Sequence, residues 1–134
     1  MGDLLTEVRR QAPVVHIVFN NAMLDFVNIE QEEAGFAPYA TDFVNPDFSR
    51  VAEACGAKGI RIEEPGDVRE RRAALGQNQG PVVVDVLVDR FALSLPSHMS
   101  VETVKGFTLS LAKQVLTGKM DDVIETDEDN VRLL

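Results

Sequence analysis

Three short apolar runs, rich in β-branched residues, decide most of what this chain can fold into. They are Pro13-Val14-Val15-His16-Ile17-Val18-Phe19, Gly59-Ile60-Arg61-Ile62 and Pro81-Val82-Val83-Val84-Asp85-Val86-Leu87-Val88. β-Branched side chains are stiff at χ1 and pack well on a pleated surface, so such runs predict strands. The runs are near-continuous rather than alternating, which predicts strands covered on both faces, as in a parallel sheet. Helix signals lie between and after them. Asp47 can cap a helix through Phe48, Val51, Ala52 and Cys55 that ends at Gly56. A second helix is predicted from about Pro65 to about Gly76, with Asp67 near its positive end. Arg69, Glu70, Arg71 and Arg72 leave it only Val68, Ala73, Ala74 and Leu75 to bury. A third should start at Ser100 and turn Val104, Phe107, Leu111 and Val115 to one face. Strands alternating with helices predict an α/β fold, a three-layer sandwich with a mainly parallel sheet. The acidic stretch from Asp121 to Leu134 loses its periodicity after Glu125 and is expected to fray.

Composition enters mainly as exclusion. The formal charge of −9 on 134 residues disfavours nucleic-acid binding by bulk electrostatics. A single cysteine, Cys55, cannot make an internal disulfide. The apolar runs are too short to span a bilayer, and Met1-Gly2-Asp3 shows no secretory signal, so the expectation is a cytoplasmic protein.

Ligands of open α/β sheets sit beyond the carboxyl ends of strands. The first run ends there in Phe19-Asn20-Asn21. An amide oxygen suits a hard cation such as Mg2+, and an Asn pair equally suits a polar turn. His16 reads as a core or sheet-face residue and Cys55 as packing on an apolar helix face. His98, beside Pro96, has no second ligand at metal-binding spacing.

The string Val18-Phe19-Asn20-Asn21-Ala22-Met23-Leu24-Asp25-Phe26-Val27 resembles the distal half of the thiamine diphosphate motif, which opens with Gly-Asp-Gly and closes with an Asn-Asn-type pair. The likeness extends to Met1–Thr6, Asn45-Pro46-Asp47-Phe48, Val51–Gly56, Gly59–Glu63 and Gly80–Val86. Together these segments resemble the C-terminal, diphosphate-binding domain of the pyruvate oxidase and acetolactate synthase superfamily. Leu95-Pro96, Lys105-Gly106-Phe107 and Asp122-Val123-Ile124-Glu125 resemble the end of the pyruvate oxidases, also called quinone-dependent pyruvate dehydrogenases.

That resemblance implies a thiamine-diphosphate-binding fold lacking its first strand, because the sequence contains no Gly-Asp-Gly. Residues 1–92 are then a partial diphosphate-binding domain and residues 93–134 a C-terminal helical extension. It implies thiamine diphosphate and Mg2+ as cofactors, with FAD bound by a domain that this sequence does not include. Mg2+ would take the Asn21 side-chain oxygen and the Met23 main-chain oxygen. Asn21, Ala22, Met23, Leu24, Asp25, Phe26 and Val27 would line the cofactor, with Asp25 standing where the motif usually has Gly. Phe26 would lie near the reactive ring and Glu30 near the substrate. Core packing for Phe26 and a solvated helix face for Glu30 remain the alternatives. The implied reaction is oxidative decarboxylation of pyruvate to acetate and CO2, or another 2-keto acid reaction of the decarboxylase or acetolactate synthase kind. A non-catalytic remnant or partner subunit is the third alternative, and the isolated chain is expected to be inactive. Oligomerisation, or completion by a partner, follows from the same resemblance. The family's peripheral membrane contact is disfavoured here, since Lys119 and Arg132 face six acidic residues between Asp121 and Asp129.

Overall fold

A computed structural model describes residues 2–73, 75, 78–92 and 100–131. The sequence expectations at Gly76, Leu95-Pro96, His98 and the last three residues lie outside that set. The chain divides into two compact units. One comprises residues 1–21 and 44–88, the other residues 22–43 and 89–134.

The first unit is α/β. Its sheet is entirely parallel and ordered β1-β3-β2, from β1 (Val15–Asn20), β2 (Lys58–Ile62) and β3 (Val82–Leu87). The central strand is the Val-rich third run, and Val82, Val83, Val84 and Asp85 are all buried. Ile17 and Ile60 pair with Val84 on either side. Period-two alternation therefore assigns Ile17, Phe19, Ile60, Ile62, Val84 and Val86 to one face, and His16, Val18, Gly59, Arg61, Val83 and Asp85 to the other. Ile60, Ile62, Val82 and Val84 form the core cluster, with Leu75 and Val86 packed on it. Burying such a side chain contributes roughly 1.5–3 kcal/mol.

Helix α1 (Gly2–Arg10) reaches the second face, where Glu7 Oε2 lies 2.6 Å from His16 Nε2. His16 is thus a sheet-face residue. Helix α3 (Phe48–Ala54) packs on β2 and β3, capped as expected: Asp47 accepts the Arg50 N–H, and Gly56 leaves the helix at φ +86°. Helix α4 (Asp67–Ala73) packs on β2. It starts two residues later than the sequence suggests, because Glu64 and Pro65 are used in tight turns, their carbonyls accepting from Asp67 and Val68.

One expectation fails at β1. The strand is not covered on both faces: Ile17 is 55% and Phe19 72% exposed. A continuous apolar run records residue type, whereas coverage depends on which elements reach that strand, and α4 packs on β2.

The second unit is built on α2 (Asp25–Glu33) packed against α5 (Val101–Leu116), with α6 (Met120–Val131) against α5. Ser100 caps α5 by accepting the Thr103 N–H. The packed face of α5 is not the expected apolar stripe. Val104, Leu111 and Val115 are 40% or more exposed, while Ser110 and Gln114 are buried. Gly106 explains the substitution: a Cβ there would lie 1.7 Å from the Glu33 carbonyl oxygen. The two backbones approach so closely that only small or hydrogen-bonding residues fit between them. Ser110 Oγ donates to the Phe36 carbonyl and Gln114 Nε2 to Glu32. The stretch expected to fray from Asp121 onward is helical over its described part, as α6 runs to Val131. Asp121 and Asp122 in its first turn favour the positive helix end. Among the described residues no helix is long and apolar enough to cross a membrane.

Candidate functional site

The carboxyl end of β1 is organised around a buried carboxylate. Asp85, in the central strand, is completely inaccessible to solvent. Its Oδ1 accepts from Asn20 Nδ2 at 3.1 Å. Its Oδ2 accepts from Arg61 Nη1 at 2.7 Å and from the Phe48 N–H at 3.1 Å, at the start of α3. Arg61 also donates to Glu63 and lies 3.9 Å from Asp47. These carboxylates hold the guanidinium firmly charged, Glu63 most of all. Asp47 is held below the usual carboxylate range, chiefly by the Ser49 hydroxyl.

Asn20 completes the cluster. Its Oδ1 accepts from Asn45 Nδ2 at 2.9 Å, so both ends of its amide are engaged, and it is 6% exposed. Asn21 follows, half-buried, beyond the strand end. The two adjacent amides thus differ: the first is a fixed part of the scaffold and the second leaves the sheet.

The next residues belong to the second unit. Ala22 adopts a left-handed backbone, φ +54°. Met23 bridges Asp42 in an antiparallel pair, with Leu24 N–H donating to Thr41 and Phe43 N–H to the Ala22 carbonyl. Leu24 occupies the N-cap of α2 without a side-chain cap, and Asp25 opens the helix.

Helix α2 then sorts the remaining candidates. Phe26 is 75% exposed, and Val27 and Glu30 are also exposed. Phe26 and Glu30, four residues apart, share one helix face. The opposite face buries Asn28, Ile29 and Glu32. Asp25 goes with this inner side: it lines a polar cavity of about 160 Å3 together with Asn28, Glu32, Thr41 and Gln114. Its Oδ1 is buried without a hydrogen-bond partner, and burial pushes its pKa up. Burial also raises the Glu32 carboxyl, opposed by the Gln114 hydrogen bond and reinforced by the Asp25 charge.

The structure therefore groups Phe26, Val27 and Glu30 on an exposed helix face and turns Asp25 away from them. Asn20, Asn45, Arg61 and Asp85 form a cluster that sequence reasoning missed. One signal was present: Asp85 is the only charged residue in an otherwise apolar run.

Residues 1–86 match the model of the family described as thiamine pyrophosphate enzyme, C-terminal TPP binding domain. The chain is 32% identical over 113 residues to the YdaP protein of Bacillus subtilis, covering 84% of this chain and 20% of that one. It is 39% identical over 87 residues to the acetolactate synthase of the same organism, covering 65% and 15%. It is 33% identical over 92 residues to the pyruvate oxidase of Lactiplantibacillus plantarum, covering 66% and 15%. The chain thus spans a fifth or less of the length of these relatives.

Proposed function

This chain belongs to the thiamine pyrophosphate enzymes, as their C-terminal TPP-binding domain, and on that premise we propose that residues 21–30 supply the diphosphate anchor and part of the substrate wall of an enzyme acting on 2-keto acids. The observation that carries this reading is the place of Asn21. Asn20 is locked at both ends of its amide, and Asn21 follows it at the carboxyl end of a parallel strand, where such sheets bind ligands.

The donor chemistry fits the cofactor. The Asn21 amide oxygen and the Met23 carbonyl oxygen are neutral, hard donors of the kind Mg2+ accepts. Among the described residues no group of three or more His, Cys, Asp or Glu is placed to hold a metal ion. Asn21 and Met23 are thus the residues of this chain that would hold Mg2+. When bound, thiamine diphosphate supplies the nucleophilic carbon and the electron sink for cleavage beside a keto group. Phe26 would pack against the cofactor, and Glu30, one turn further along the same face, would handle a proton at the substrate.

Within the family we favour the pyruvate oxidase kind, oxidative decarboxylation of pyruvate, on the likeness of the C-terminal segments. FAD enters only with that reading, and no residue here is assigned to it. A carbon–carbon bond-forming reaction of the acetolactate synthase kind is the second reading, favoured by the 39% identity over residues shared with that enzyme.

The test of the anchor is an NMR titration of the chain with thiamine diphosphate, with and without Mg2+. Binding weaker than micromolar, dependent on Mg2+ and lost in Asn21→Ala, is expected. Equal responses from the wild-type chain and Asn21→Ala would overturn the assignment.

A further inference from the structure

Resting on the reading of Asn21 as a Mg2+ ligand, we propose that Asp85 is a positioning residue, which acts through Asn20 to fix how Asn21 is presented. Packing of the sheet does not call for a carboxylate at this point. Asp85 interrupts a strand otherwise made of Val82, Val83, Val84, Val86 and Leu87, and valine would pack there without desolvating a charge. What the carboxylate does is accept three hydrogen bonds, from Asn20, Arg61 and the first N–H of α3.

The Asn20 bond has the largest consequence. An amide can be inverted only if its environment tolerates exchange of oxygen and nitrogen. Here inversion would set the Asn20 oxygen against the Asp85 carboxylate and its NH2 against the Asn45 NH2, leaving donors facing donors and acceptors facing acceptors. One orientation is therefore selected. The Asn20 carbonyl is also held, by the Val88 N–H at 3.2 Å. The residue immediately before Asn21 thus has its side chain and its carbonyl fixed, and both restraints come from or adjoin β3. Arg61, on the neighbouring strand, places its guanidinium 2.7 Å from the buried Asp85 carboxylate and so pairs a group that burial would otherwise leave isolated.

The test compares Asp85→Asn, Asn45→Ala and a control, Val83→Ala, in the full chain. Asp85→Asn keeps the shape and replaces one acceptor by a donor. Asn45→Ala removes the outer restraint on Asn20 at an exposed residue and stays folded even if Asp85→Asn does not. Val83→Ala weakens the same face of the same strand without touching the cluster. Two readouts are needed: 15N relaxation of the Asn21 side-chain amide in the ligand-free chain, and the Mg2+-dependent affinity for thiamine diphosphate. We expect Asn21 to lose order in Asp85→Asn and in Asn45→Ala, with affinity falling about tenfold or more. Val83→Ala should lower the melting temperature and leave Asn21 ordered. Unchanged Asn21 order in Asn45→Ala and in any folded Asp85→Asn would overturn the proposal, as would equal loosening by Val83→Ala. If the wild-type chain shows no Mg2+-dependent binding, the functional reading fails, while the relaxation data still decide the role of Asp85.

Discussion

Asn20 and Asn21 have identical side chains, but Asn20 is part of the strand and Asn21 lies beyond its end, so substitution should separate them by phenotype. In an active assembly containing this chain, Asn21→Ala should raise the apparent cofactor constant before it lowers turnover at saturating cofactor. Glu30→Gln preserves shape and removes a charge, so turnover should fall while cofactor affinity holds. Steady-state kinetics across cofactor concentration distinguishes the two, and matching signatures would show that anchor and chemical residue are not separable. A pH effect belongs to Glu32. Its carboxyl titrates above its ordinary value because burial disfavours the charge. Below the unfolded value of 4.5 both states hold the proton. As pH rises through the raised folded value, the folded state must ionise a buried group and loses stability. Glu32→Gln keeps the acceptor for Gln114 and removes that loss. It should stabilise the chain at neutral pH and much less at pH near 4.5. Urea melts at both pH values would show this, and an equal gain at both would contradict it. At this scale the sequence showed which residues were unusual: the Asn pair, and an Asp in a Val run. It could not show that Asn20 and Asp85, 65 positions apart, share a hydrogen bond, because that pairing depends on strand order and register.

At the scale of elements, local signals performed well where the cause was local. Asp47 and Ser100 cap their helices because a short side-chain oxygen can reach an N–H three residues on. The packed face of α5 was misread because periodicity counts apolar residues and assumes that they point inward. The approach of α2 and α5 is set by Gly106, and Ser110 and Gln114 lie four and eight residues further along the same face. Gly106→Ala should therefore destabilise the second unit by about 1–3 kcal/mol or more, through overpacking against backbone. Leu111→Ala, at a 41% exposed position, should cost less than Gly106→Ala despite removing more apolar surface. Chemical denaturation of the pair gives the order directly, and the reverse order would mean that the apolar stripe is the packed face after all.

For the whole molecule, the exposed face of β1 bears on association. Val15, Ile17 and Phe19 are 42%, 55% and 72% exposed and alternate on one side of an edge strand. A contiguous apolar surface next to unpaired strand groups favours association. The chain is expected to self-associate or to melt low unless partnered, and Phe19→Ser should shift it toward monomer. Light scattering after size exclusion measures this directly. A wild-type monomer melting above roughly 65 °C would show that the domain is self-sufficient. The amino-acid sequence by itself determined the α/β class, the positions of the three strands, the helix caps and membership of a cofactor-binding family, because each is written in residues that are neighbours or near neighbours. Tertiary structure alone decided which strand is central, which side of β1 stays uncovered and what holds Asn20. These are outcomes of strand order and of how closely backbones approach, and neither quantity has a period or a motif along the chain.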